Sequence, residues 1–439
     1  MKFYNRETEL DDLQNIYEIS QTEAQMTVMT GRRRIGKTQL LLKSTEGGAT
    51  LYFFVLRKAE RLLCRDFVEE VQAKLAIPMG EYSSFGKLFE HLMIFSKERP
   101  FNLIIDEFQE FSRVNDSIFG EMQKIWDLHK GSSKMNLLIS GSVYSLIHKI
   151  FEDSKEPLFS RAGQIMRLKP FNVSVLKEIF RDFNPNYSSE DLLALYTFTG
   201  GIAWYVELFM KHKAFTYEKM IRLIVKEDSP FLNEGKNLLI EEFGKEYAIY
   251  FSILECIARG LTNRGDIESY LGGIEIGGYL SRLEKGFSLI NTRLPIFAKA
   301  GSKQVRYIIE DNFLSFWFRF IYKYQNYIES GSYNLLATVI RRDYPTFSGI
   351  MLERYFRAKF VESGNYTTIG SFWDRKGENE IDLIAVNELD KTAEICEIKR
   401  NSSRINFKNL KLKGAYFIQN TDECKGYNVT YKGLSLENL

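Results

Sequence analysis

Gly31-Arg32-Arg33-Arg34-Ile35-Gly36-Lys37-Thr38 is the stretch that decides the fold. It satisfies GxxxxGK[ST] at every specified position, and its setting fits. The apolar run Met26–Thr30 precedes it and the helical run Gln39–Ser44 follows. A strand, a glycine-containing turn and a helix start together make an anion cradle. Glycines let backbone N–H groups curl around a β-phosphate, and the helix N-terminus adds a favourable dipole. In such a cradle Lys37 reaches the β- and γ-phosphates, and the Thr38 hydroxyl can ligate Mg²⁺. Gly31, Arg32, Arg33, Arg34, Ile35, Gly36, Lys37, Thr38 and Gln39 are therefore the candidate nucleotide-binding residues, with ATP and Mg²⁺ the expected cofactors.

Outward from the loop, the chain up to Pro170 alternates short apolar runs with helical patterns. The runs are Leu51–Leu56, Leu103–Ile105, Leu137–Ile139 and Ile165–Leu168; Arg61–Leu75 and Glu121–His129 are helical. That alternation predicts an α/β layer structure with a parallel sheet. The strand Phe101–Ile105 ends in Asp106-Glu107. A carboxylate there can complete a Mg²⁺ shell, here Asp106, while Glu107 can activate water as general base. Ser140 and Ser142 follow the next strand, where they can sense a γ-phosphate or simply shape a turn. Arg161 is a candidate arginine finger or sensor, in its own subunit or a neighbour's, or a solvated surface residue.

Composition limits the alternatives. Of 439 residues, 44% are hydrophobic and 14% aromatic, enough for sizeable buried cores. Lys and Arg number 59 against 57 acids, a formal charge of +2, so any polyanion binding must come from a local patch. Cys64, Cys256, Cys396 and Cys424 lie far apart, which argues against a disulfide framework or a structural zinc site. The segment Met1–Glu7 is charged where a signal peptide is apolar, and apolar runs fall short of the ~18 residues that span a bilayer. The expectation is a reduced, cytoplasmic, multidomain protein with no membrane segment; homo-oligomerisation is left open.

From Asn172 to His212 the pattern is helical throughout. Helices over Ile249–Arg259, Asn263–Leu271 and Gly278–Lys285 precede a hairpin-like stretch, Leu289–Ile309, an order that resembles a winged helix-turn-helix. Tyr279, Arg282 and Lys285, with Arg293, Lys299, Lys303 and Arg306 on the wing, can contact DNA. The same module can instead pack internally and relay nucleotide state.

Near the C-terminus, Glu380–Val386 and Ala393–Lys399 read as strands. Glu397 and Lys399 are two apart and share a strand face, and a hairpin brings Asp382 beside them. Two carboxylates and an ammonium in a small volume can bind Mg²⁺, activate water and stabilise phosphodiester charge. Glu353, in the helical stretch Met351–Lys359, is a further candidate ligand. The set resembles the PD-(D/E)xK nuclease pattern, with Ile381 in place of the proline. Downstream, Lys399–Lys413 holds six Lys or Arg and no acid, a candidate nucleic-acid track or a solvated helix face.

The whole chain resembles the prokaryotic archaeal ATPases, P-loop proteins related to the AAA+ and STAND groups. The matching words are Phe3-Tyr4-Asn5-Arg6-Glu7, Gly31–Thr38, Ile104-Ile105-Asp106-Glu107-Phe108-Gln109, Ile139-Ser140-Gly141-Ser142 and Arg167-Leu168-Lys169-Pro170-Phe171. The resemblance implies a P-loop ATPase domain with helical lid (1–215), a winged helix (216–330) and a restriction-endonuclease-like domain (335–439). It also implies that Phe3–Glu7 lies near the adenine. The family's Gly-Gly-x-Pro at the lid reads Gly200-Gly201-Ile202-Ala203 here. Three functions fit: an ATPase driving domains that act on nucleic acid, an ATP-dependent signalling switch, or a DNA-binding regulator with an inactive nuclease-like domain. The nuclease-type folds also serve as binding modules, so cleavage by Asp382, Glu397 and Lys399 is left open.

Overall fold

Five apolar segments become one parallel sheet: β1 (Gln25–Thr30), β2 (Thr50–Phe54), β3 (Phe101–Asp106), β4 (Met135–Ser140) and β5 (Gln164–Arg167). Their order is β2-β3-β4-β1-β5, with every adjacent pair parallel. β3 and β4 are buried at every position, as central strands covered on both faces must be. Aromatic rings fill one covering layer: Phe53 stacks on Phe67 at 4.2 Å, and Phe85 meets Phe111 at 4.6 Å. The register sets Met29 of β1 beside Ser140 of β4, and Ile105 of β3 beside Ile139. The C-terminal ends of β1, β3 and β4 therefore lie side by side, which is where the phosphate loop, Asp106 and Ser140 fall.

The computed structural model describes residues 2–439; Met1, at the head of the expected 1–215 domain, lies outside them. The chain divides into two compact units, residues 2–169 and 170–439, and the expected boundaries after 215 and 330 both fall inside the second. Among the described residues no helix is long and apolar enough to cross a membrane.

The second unit opens with helices Val173–Phe183, Ser189–Thr199 and Ala203–Lys211. Asn172 caps the first, and Ser188 with Asp191 forms a capping box on the next. These helices share an aromatic core with the C-terminal half of the chain. Phe198 lies 4.7 Å from Phe316, and Tyr196 sits edge-on to Tyr355 at 5.4 Å.

Helices Tyr247–Ala258, Arg264–Tyr270 and Gly277–Ser281 follow, the last running into a π-turn at Arg282–Gly286. The antiparallel hairpin of β6 (Ile290–Arg293) and β7 (Arg306–Ile309) completes the module. The hairpin's connecting loop is not free. Ile296 N donates to Ser371 O at 2.8 Å, and the Ile296 side chain is buried in the same core as Ile381, Ile384 and Ile395. Gly370 makes that possible, since a Cβ there would stand 2.7 Å from Ile296 Cβ. Arg306 pairs with Glu380 at 2.6 Å and lies over the Trp373 ring at 4.2 Å.

A 31-residue helix, Tyr333–Ser363, leads into the last sheet. It comprises β8 (Thr368–Trp373), β9 (Glu380–Asn387), β10 (Thr392–Ile398) and β11 (Asn428–Leu434) in the order β11-β10-β9-β8. β8–β9 and β9–β10 are antiparallel, whereas β10–β11 is parallel, reached through the helix Phe407–Gln419.

Candidate functional site: a phosphate loop and a carboxylate–lysine cluster

The turn after β1 has the backbone that the sequence pattern demands. Gly31 has φ +142°, and a Cβ on it would lie 2.7 Å from Leu168 O. Gly36 has φ +103° with open space where a side chain would stand, and it is the N-cap of the helix Lys37–Ser44. Only glycine meets these conditions without strain. Ile35 is buried, so its side chain anchors the loop by packing, while Gln39 is exposed on the helix's first turn. Lys37 is buried and its Nζ donates to Gly31 O (2.9 Å) and Arg32 O (3.2 Å). Burial draws the ammonium down to about 8, against the opposing pull of Glu107 and Asp106.

Asp106 is the hub. Its Oδ2 accepts from Thr38 Oγ1 (2.7 Å) and from the Tyr52 hydroxyl (2.9 Å). Its Oδ1 accepts from Ser140 Oγ and from Glu107 N, the latter at 3.0 Å. A hydroxyl and a carboxylate in direct contact are hard oxygen donors of the kind Mg²⁺ takes, so Thr38 and Asp106 fit that ion. Glu107 occupies the left-handed region at φ 55°. Its Oε2 accepts from Ser142 Oγ (2.7 Å) and Gln109 Nε2 (2.5 Å). Gln109 is itself buried, and a Cβ on Gly141 would stand 2.3 Å from its Oε1. Arg161 lies apart from this set, held by Asp127 (Nη2 to Oδ2 3.0 Å) and by its own Phe159 carbonyl (2.9 Å).

Sequence reading assigned no role to Tyr52 or Gln109. Tyr52 reaches Asp106 only through the β2–β3 register, which pairs it with Ile104. Gln109 did carry a signal, two residues beyond Glu107 in the short turn Phe108–Glu110.

In the second unit, the expected pairing of β9 with β10 sets Leu383 opposite Cys396. Asp382 Oδ2 accepts from Ile398 N (2.7 Å) and Lys399 Nζ (3.0 Å). The Lys399 ammonium also stands 3.8 Å from Glu397 Oε1, and Glu397 Oε2 accepts from Asn406 N at 2.8 Å. Glu353, on the long helix, faces the same cluster. Burial first, then the Asp382 charge, pushes its carboxyl up to about 8, with Lys399 opposing. Among the described residues no three His, Cys, Asp or Glu side chains are grouped as a ready metal site; Lys399 lies between the two strand carboxylates.

The basic run is divided in the structure. Arg400 turns inward to Glu190 and Ser348, whereas Arg404, Lys408 and Lys411 are exposed. On the hairpin module, Arg282 pairs with Glu246 at 2.9 Å and Arg306 is engaged as above, leaving Lys299 and Lys303 exposed.

A phosphate loop after β1, an acidic pair closing β3 and a serine closing β4, in a parallel sheet of this order, define a P-loop ATPase. Comparison with known proteins agrees. A family described as an ATPase domain predominantly from Archaea matches residues 3–209, and one described as archaeal and bacterial proteins of unknown function matches residues 317–410. An uncharacterised protein of Methanocaldococcus jannaschii is 30% identical over 406 residues, covering 90% of this chain and 87% of the relative. The chain belongs to this family of archaeal P-loop ATPases. A solved Walker-type ATPase of Pyrococcus abyssi shares the fold at 20% identity, with a TM-score of 0.55 over 72% of this chain and 96% of that one. The ORC2 protein of Aeropyrum pernix, solved in ADPNP–ADP complexes, is 12% identical, with a TM-score of 0.48 over 78% of this chain and 96% of that one.

Proposed function

We propose that this ATPase uses Mg²⁺ and ATP to drive a C-terminal domain that acts on nucleic acid by metal-dependent attack on a phosphodiester. The observation that carries the reading is the meeting of Asp382, Glu397 and Lys399 at one end of the β9–β10 pair, with Glu353 facing them. The element order from residue 333 to 434, helix, three strands, helix, strand, resembles the core of restriction endonucleases. Exposed Arg404, Lys408 and Lys411 beside this cluster would supply salt-sensitive contacts to a phosphate backbone.

At the nucleotide, Lys37 would hold the β- and γ-phosphates while Thr38 and Asp106 hold the metal, whose charge offsets that of the transferring phosphoryl group. Glu107 would take the proton of the attacking water, with Ser142 and Gln109 fixing the carboxylate that does so. The resemblance to a winged helix extends to element order, but Ile296 and Arg306 are committed inside the unit, which supports a packing role for the hairpin.

A second reading, nucleic-acid binding without cleavage, is favoured by the Lys399 ammonium, which stands where a cation between Asp382 and Glu397 would sit. The test is ATP turnover and DNA integrity measured together. Plasmid and single-stranded DNA are incubated with the full chain and Mg²⁺ or Mn²⁺. Cleavage together with DNA-stimulated turnover supports the first reading. Stimulated turnover over intact DNA supports the second, and DNA without effect on either defeats both.

A further inference from the structure

The hydrogen bonds on Asp106 are not alike. Its Oδ1 is held from the strand ends, by the Glu107 amide beside it and by Ser140 at the end of β4. Its Oδ2 takes Thr38 Oγ1 at 2.7 Å and the Tyr52 hydroxyl at 2.9 Å. An ionised carboxylate only accepts, so both hydroxyls are donors here. The Thr38 proton is therefore directed at Asp106, which leaves the lone pairs of the Thr38 oxygen for a hard cation. Without Tyr52, Oδ2 would be held, among the described residues, only by the hydroxyl that it has to direct.

Strand register brings Tyr52 to this oxygen. β2 and β3 run parallel, with Tyr52 beside Ile104 and Phe54 beside Asp106. Paired residues share a face, and a face repeats every second residue. Tyr52 thus lies diagonally across from Asp106 on one face of the sheet, a gap that its phenol closes. Leu51 and Phe53, on the opposite face, are the buried residues of β2, whereas Tyr52 is only partly buried. The core of this edge strand makes no demand on the Tyr52 hydroxyl. The carboxylate does.

Groups that orient a metal's ligands commonly change its affinity by about 10–100-fold without touching the ion. We propose that Tyr52 is a positioning residue for the nucleotide's metal, fixing Asp106 so that Asp106 in turn orients the Thr38 hydroxyl. The proposal rests on the assignment of Thr38 and Asp106 to that metal, and it requires nothing of the C-terminal cluster.

The test measures binding in place of turnover. A fluorescent, non-hydrolysable ATP analogue is titrated into the full chain in saturating Mg²⁺ and again in EDTA. The ratio of the two Kd values gives what the metal adds. Y52F should bind the analogue as wild type does in EDTA, yet its gain from Mg²⁺ should fall by about 10-fold or more. T38A, which lacks the hydroxyl itself, should lose at least as much. The double variant should lose no more than T38A, because two changes on one route do not add. An equal loss by Y52F with and without Mg²⁺ would make Tyr52 a support of the phosphate loop and overturn the proposal. A further fall in the double variant beyond T38A would overturn it too. If T38A loses the metal's contribution and Y52F keeps it, Tyr52 alone is struck and the metal assignment stands. If T38A keeps it, the assignment itself fails and the proposal falls with it.

Discussion

The Lys37 ammonium is buried against two loop carbonyls and within the field of Asp106 and Glu107, so its loss removes a recessed positive charge from the phosphate loop. At ~100-fold over its Kd, ATP should stabilise the wild type by about 2.7 kcal/mol. Lys37→Ala should lose most of that gain, read as a thermal shift; equal shifts in the two proteins would rule Lys37 out as the phosphate ligand. Glu107 poses a different question, because its carboxylate is fixed by Ser142 and Gln109 and not by the phosphate loop. Glu107→Gln keeps the shape but cannot accept water's proton. Turnover should fall by ~10²–10⁴ with ATP binding retained. A mutant hydrolysing at the wild-type rate would remove Glu107 from the role of base. The phosphate loop and the acidic pair were legible because each is a local pattern in consecutive residues. Tyr52 was not legible, since a strand register joins it to Asp106 across a separation of 54 residues.

At the scale of elements, short apolar runs placed all five strands of the first sheet; β3 and β4 carry continuous apolar runs because both of their faces are buried, whereas the edge strands β2 and β5 are partly exposed. The hairpin carried two readings, a basic wing or an internally packed module. Its basic residues suggested a wing, whereas Leu294-Pro295-Ile296-Phe297 in its middle was the better clue, being apolar where an exposed wing has no reason to be. Ile296 accordingly sits in the core of the last sheet. The lid motif also resolves at this scale. Gly200 and Gly201 both have positive φ, and a Cβ on Gly201 would meet Phe171 O at 2.2 Å, so the glycine pair is required. Ala203, standing where the Gly-Gly-x-Pro pattern implied by the family resemblance would have proline, is the first residue of its helix, and Ile202 before it has φ −69° and ψ 121°. That position tolerates proline because its N–H is one of the helix's orphans, and the preceding residue already has the extended backbone that proline imposes. Ala203→Pro should therefore stabilise the protein by ~0.4–1 kcal/mol through the unfolded chain. Chemical denaturation measures this, and a loss of stability would show that the lid needs the alanine.

At the scale of the whole molecule, the two clusters of chemistry fall in separate units, with Lys37, Thr38, Asp106 and Glu107 in residues 2–169 and Glu353, Asp382, Glu397 and Lys399 in residues 170–439. A near-neutral chain has no general field to draw polyanions, so the second cluster must act through its own short-range charges. There Asp382 is the residue with most to lose. One of its oxygens holds both the Ile398 amide and the Lys399 ammonium, fixing the carboxylate in place. Carboxylates crowded together repel unless a proton or cation intervenes, and the Glu353 carboxyl is raised first by burial and then by the Asp382 charge. Mn²⁺ should therefore bind the wild-type cluster, displacing Lys399 from between the acids, and Asp382→Ala should bind it far more weakly. Calorimetric titration of Mn²⁺ into nucleotide-free protein, with and without Asp382→Ala, isolates this site, because Thr38 and Asp106 are common to both proteins. Asp382→Ala alone should abolish any metal-dependent DNA cleavage while ATP turnover without DNA stays at the wild-type rate, because no group of the phosphate site is touched. Equal Mn²⁺ uptake by the paired variants would refute a metal role for Asp382. Loss of basal ATP turnover in Asp382→Ala would refute the separation of the two chemistries.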